Sequence, residues 1–110
     1  MTQLQWFVGI EQDKNGNPIT DLETKLTEVR RLLAENYSGW TETYGFGGWR
    51  DPATGEVVSE KQITFSTIYD ASIEPTNHAK RALRLGETIK IVMNQSCVLL
   101  TSIPIRGEFI

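Results

Sequence analysis

The sequence predicts one α+β domain with the element order β-α-β-β-α-β. Three patterns carry that expectation: four apolar stretches with strand character, two stripes at helical spacing, and turn-forming clusters between them. At 110 residues, 39% hydrophobic and 23% charged, the chain has the size and balance of a single globular unit spanning residues 1–110.

Leu4 to Ile10 (LQWFVGI) is apolar, β-branched and aromatic, and reads as the first strand. Asp13-Lys14-Asn15-Gly16-Asn17-Pro18 follows, so dense in turn formers that it must be the loop leading to a helix. Thr20-Asp21-Leu22-Glu23 has capping-box spacing, in which the hydroxyl and the carboxylate satisfy each other's free backbone donors. Leu22, Leu26, Val29 and Leu33 then form one apolar stripe. Asn36 to Gly39 is the expected stop, with Gly39 able to take a left-handed conformation.

Trp40, Tyr44 and Phe46 share a parity and alternate with Thr41, Thr43 and Gly45, which predicts a second strand with one buried face. Asp51-Pro52-Ala53-Thr54-Gly55 predicts a hairpin turn, the proline presetting φ and the glycine accepting a positive one. Val57, Ile63, Phe65, Thr67 and Tyr69 mark the third strand, and the polar run Ser59-Glu60-Lys61-Gln62 implies a bulge or an exposed hairpin arm. Glu74-Pro75-Thr76-Asn77 opens a second helix, with Ala79, Ala82, Leu83, Gly86, Ile89 and Met93 as its core stripe. Glycine at 86 costs about 1 kcal/mol against alanine, which implies close approach by a neighbouring element. Cys97-Val98-Leu99-Leu100 is apolar at both parities, as in a strand covered on both faces. This order folds as a ferredoxin-like sandwich: a four-stranded antiparallel sheet, strands 1 and 3 central, both helices on one face. Strand 4 is then an edge, so its double-sided apolar character leads us to expect a homo-oligomer, a dimer or higher.

Composition narrows function. The net charge is −3 with no block of like charge, so neither duplex nucleic acid nor an anionic membrane is an expected partner. No apolar run approaches the ~20 residues of a membrane span, and the first residues lack the pattern of an export signal. The expected location is cytoplasmic, the host cytoplasm if the chain is phage-encoded. One cysteine and one histidine leave no disulfide and no ligand set for a metal, and no cofactor is implied. Cys97, in an apolar run, is expected to be an inert packing group.

The most unusual stretch is Tyr44-Gly45-Phe46-Gly47-Gly48-Trp49-Arg50-Asp51. Its aromatics could stack on a base, its glycines admit close backbone approach, and its arginine could grip a phosphate. Arg81 and Arg84, three apart on the second helix, could join it. The expected ligand residues are therefore Tyr44, Phe46, Gly47, Gly48, Trp49, Arg50, Arg81 and Arg84, and the expected ligand is small, anionic and nucleotide-like. The plainer reading, a twisted hairpin end with solvated arginines, stays open beside it. His78 is expected on the surface; in a catalytic alternative it would shuttle protons with Tyr69 or Asp70.

From Trp40 onward the chain resembles a family of small bacterial proteins known only as a domain of unknown function. Gly48-Trp49-Arg50-Asp51, Gly55-Glu56-Val57-Val58 and Gln95-Ser96-Cys97-Val98-Leu99 carry the resemblance. This chain departs from that pattern in lacking an export signal and in having an extra residue between Gln95 and the valine-leucine pair. In type, though without a shared motif, it is also similar to phage sponge proteins that sequester cyclic nucleotide signals of bacterial defence. Three functions stand: non-enzymatic sequestration of a nucleotide-like signal, a small enzyme of dimeric α/β-barrel type using His78, and a protein–protein interaction module.

Overall fold

The computed structural model describes residues 1–70 and 77–110. Six elements follow in the expected order: β1 (Thr2–Gly9), α1 (Leu22–Asn36), β2 (Thr41–Arg50), β3 (Val57–Tyr69), α2 (His78–Val92) and β4 (Leu99–Pro104). They form a ferredoxin-like α+β fold. The sheet order is β2-β3-β1-β4, every neighbouring pair antiparallel, with β1 and β3 central.

Strand parity builds the core. Leu4, Trp6 and Val8 of β1 stand opposite Thr67, Phe65 and Ile63 of β3, all buried on the face that both helices cover. Leu26, Val29 and Leu33 of α1 and Ala82, Leu85 and Ile89 of α2 pack down onto them, with Met93 just beyond α2. At the centre, the Trp6 indole donates to the Ala82 carbonyl at 3.1 Å. Gly86 makes room for the ring: a methyl group there would sit 3.3 Å from Trp6 Cδ1. This is the close approach expected at Gly86. Among the described residues no helix covers the opposite face, which carries Gln3, Gln5, Phe7 and Gly9 of β1.

Several local expectations are corrected. The first helix is not capped by Thr20 and Glu23; its N-cap is Asp21, left-handed at φ 55° and without a side-chain capping bond. Aspartate tolerates that conformation, and it swings the chain into the helix. Gly39 is not the left-handed stop, since Tyr37 ends α1 in extended conformation with its N–H on the Leu33 carbonyl. The predicted opening of α2 at Glu74-Pro75-Thr76 lies outside the described residues; Asn77 caps the helix, accepting from the Lys80 N–H at 3.2 Å. Its buried stripe is His78, Ala82, Leu85 and Ile89, at spacings of four, three and four, so Ala79 and Leu83 lie off it and are exposed.

The hairpin arm differs most from expectation. The β2–β3 register runs unbroken from Thr41↔Ser66 to Arg50↔Val57, so the polar run at 59–62 is an arm without a bulge. Tyr44 and Phe46 lie on the helix side, opposite Ile63 and Lys61, yet among the described residues no helix reaches beneath them and Phe46 is 72% exposed. The turn is as expected, with Gly55 at φ +73° and its N–H on the Asp51 carbonyl. An ion pair helps hold the base of the arm to the body: Arg30 of α1 pairs with Glu42 of β2 at 2.8 Å, and the Trp40 indole also donates to that carboxylate. Leu99 of β4 is exposed, as is Cys97 before it, so within this chain neither the double cover of strand 4 nor the burial of Cys97 is realised. Among the described residues no helix is long and apolar enough to cross a membrane.

Candidate functional site

A cleft of about 620 Å³ lies where the arm overhangs the end of β1. Sequence chemistry explains each wall. Asp13 folds its own loop, one carboxylate oxygen accepting from the N–H groups of Asn15 at 2.8 Å and Asn17 at 3.0 Å, and Gly16 takes the positive φ that closes it. The loop is stitched to the end of α2: the Lys14 N–H donates to the Asn94 carbonyl at 2.7 Å, and the Gln95 side-chain amide donates to the Gln12 carbonyl at 2.8 Å. The chain then runs through Ser96 and Cys97 along the cleft before entering β4.

The arm supplies the remaining wall. Trp49 pairs with Val58 and Gly47 with Glu60, and this parity puts Trp49, Val58 and Glu60 on the helix-free face. Trp49 is 54% exposed and borders the cleft, so its side chain is accessible from there. The Glu60 carboxyl is held above the usual carboxylate range, first by partial burial and then by the neighbouring Glu11 carboxylate. Glu11 is fixed in place by accepting from the Lys61 N–H at 2.7 Å.

The structure distributes the eight expected ligand residues over several places. Trp49 alone among them borders the large cleft. Tyr44 and Phe46 edge a recess of about 190 Å³ on the opposite side of the arm, with Ile10 and Lys61. Gly47 lies under the Gln62 side chain, where a methyl group would come within 2.6 Å of Gln62 Oε1, so this glycine accommodates a neighbour. Gly48 sits in ordinary contact with the Val58 carbonyl, and Arg50 is exposed at the arm's tip. Arg81 and Arg84 line a groove of about 290 Å³ between the helices, beside Leu32 and Asn36.

His78 is not a surface residue: it is only 5% exposed. Its ring stacks on Tyr69 with centroids 3.9 Å apart, and its Nδ1 accepts from Arg81 at 2.9 Å. Arg81 also lies over the Tyr37 ring, 5.0 Å from its centroid. The structure therefore does gather Tyr69 and His78, but under cover rather than on a cleft wall.

Sequence reasoning missed Glu60, Gln95, Asp13 and Lys14 as cleft residues. The signal for Glu60 was the polar interruption of an alternating strand. Gln95 carried no local signal, because its position depends on where α2 ends relative to the first loop.

No family model matches the sequence, and no curated protein matches it. Solved structures share the fold. A phage SAM lyase in complex with S-methyl-5′-thioadenosine superposes with a TM-score of 0.65 at 12% identity, covering 92% of this chain and 78% of that one. The periplasmic divalent cation tolerance protein CutA from Archaeoglobus fulgidus gives 0.60 at 7% identity, covering 99% and 88%. A DUF3240 family protein from Shewanella baltica OS155 gives 0.51 at 13% identity, covering 99% and 94%. At these identities the likeness is one of fold.

Proposed function

We propose that this chain binds a small nucleoside-type molecule in the cleft beneath the arm, with Trp49 stacking on the base, and that it holds the molecule without transforming it. The carrying observation is the half-exposed Trp49 ring on the wall of a cleft whose volume of about 620 Å³ suits such a ligand. The complex of the phage SAM lyase with a thioadenosine supports this reading, as a nucleoside ligand on the same fold. Retention rather than chemistry is favoured because His78, the only histidine, is buried against Tyr69 and Arg81 and does not border the cleft. A phage sponge that withdraws a signalling nucleoside or nucleotide is the biological form this would take. Association with further copies belongs to the same proposal, since the free edges of β2 and β4 and the exposed Val57, Leu99 and Ile103 are what another copy would cover. Sedimentation velocity tests that part, and a monomer at tens of micromolar sinks it.

The binding test is thermal shift and calorimetry against adenosine, S-methyl-5′-thioadenosine, AMP and cyclic AMP, with Trp49→Ala as control. At 100 times its Kd a ligand adds about 2.7 kcal/mol of stability, and the alanine variant should lose that gain while melting normally alone. Failure of every probe to stabilise the protein removes the reading. Recovery of a chemically altered probe after incubation replaces holding with catalysis.

A further inference from the structure

Two oxygen acceptors converge in the cleft, and both are set there by the fold. A methyl group placed on Gly9 would lie 2.2 Å from Glu60 Oε1 and 2.8 Å from Gln95 Oε1, so these two oxygens are within about 5 Å of each other, the sum of those distances. Gln95 cannot turn its amide round. Its Nε2 donates to the Gln12 carbonyl at 2.8 Å and to the Met93 carbonyl at 3.2 Å, which uses both N–H groups and leaves the carbonyl oxygen facing Gly9. Glu60 sits across from Gly47 and leans diagonally over Gly9, the one residue of β1 on that face without a side chain to block it.

Neither oxygen is answered from within. Among the described residues no hydrogen-bond donor or cation stands within bonding distance of the Glu60 carboxylate. The charge that acts on it, Glu11, repels it. A partly buried carboxylate beside a second, rigidly aimed acceptor costs stability and gains nothing from the protein's own contacts. Such an arrangement is complementary to a donor that arrives from outside. The arginines expected to grip a phosphate lie elsewhere: among the described residues none lines this cleft, whose other charged groups are Asp13 and Lys14.

We propose that Glu60 and Gln95 together seat a positively charged nitrogen, or a similar donor-rich group, of the bound molecule, so that the cleft prefers a cationic nucleoside over a phosphorylated one. The proposal rests on the cleft being a nucleoside site. Trp49 would fix the base while the acceptor pair reads the far end of the ligand, so that the two walls carry separate parts of the recognition.

Three probes that share one base and differ in charge test it: 5′-amino-5′-deoxyadenosine, adenosine and AMP, each measured by calorimetry at pH 7. The amino nucleoside should bind at least about tenfold tighter than adenosine, as a hydrogen bond to a charged partner allows, and AMP should bind more weakly than either. Glu60→Gln should bring the amino nucleoside down to the level of adenosine. Gly9→Ala keeps every charge but displaces the carboxylate, and it should erode the same preference. Circular dichroism and melting confirm that both variants fold. Equal affinity for the three probes, or tightest binding of AMP, with Trp49→Ala still abolishing binding, overturns the acceptor pair and leaves the nucleoside site standing. If none of the probes binds, or Trp49→Ala changes nothing, the site itself falls and this proposal with it.

Discussion

Trp6 and Trp49 sit on the same sheet and have opposite fates. Trp6, on β1, is fully buried, with its N–H on a helix carbonyl and its ring against Gly86. Trp49, near the tip of β2, keeps more than half its surface in solvent. What separates them is whether a helix lies over that part of the sheet. In the body, β1 and the second half of β3 share a face with two helical stripes, so Leu4, Trp6, Val8, Ile63 and Phe65 are all enclosed. In the arm the strands run on beyond the helices, so alternation no longer decides burial. Stability therefore resides in the body, and the arm's aromatics are available for contacts outside the chain.

The comparison is broken or sharpened by substitutions on its two sides. Trp6→Ala should destabilise by about 3–5 kcal/mol through the cavity left behind, a large share of the roughly 5–15 kcal/mol typical of such a domain, and urea denaturation would show it as a marked drop of the midpoint. Trp49→Ala should change stability by less than about 0.5 kcal/mol; a loss comparable to that of Trp6 would mean the arm is structural after all.

The junction between the two regions gives an intermediate effect. Glu42→Gln should cost about 1–2 kcal/mol, because it breaks a partly buried, multiply bonded contact with Arg30. Those hydrogen bonds hold the Glu42 carboxyl below its ordinary value of 4.5. The stabilisation is therefore complete above that value and disappears as pH falls through the lower folded-state value. Wild type and variant should converge in acid, and a gap that persists at pH 2 would contradict the assignment.

The smallest effect has the opposite sign. Glu60 is held above 4.5 by partial burial and by Glu11, so its ionised form opposes folding. Glu60→Gln should stabilise the protein by roughly 0.5 kcal/mol at pH 7. That gain shrinks as pH falls through the raised value and is gone below 4.5, where the carboxyl is neutral in both states. A destabilised variant at pH 7 would show that the carboxylate has a structural partner.

Periodicity made the body legible. Leu26, Val29 and Leu33, and the alternation of Leu4, Trp6 and Val8, follow directly from elements that are covered on one side. It misled at β2, where Tyr44 and Phe46 alternate like buried residues although nothing covers them. The capping box failed because local spacing cannot see that the chain reverses at Asp21. His78 looked superficial because only tertiary packing brings Tyr69 and Arg81 to it. The cleft was half legible: Trp49 announced itself by composition, whereas Glu60 and Gln95 meet only because a strand, an arm and a helix end converge on Gly9.

The Trp6 indole acts as a pin through α2. Bonded to the Ala82 carbonyl and wedged against Gly86, it fixes how that helix is rolled about its axis. Just past the other end of the helix come Asn94 and Gln95, which tether the loop that forms one bank of the cleft. Interior and recess are thus mechanically one piece. A conservative change such as Gly86→Ala would press on the Trp6 ring, and any roll of α2 that relieved that contact would be carried along the helix to the bank of the cleft.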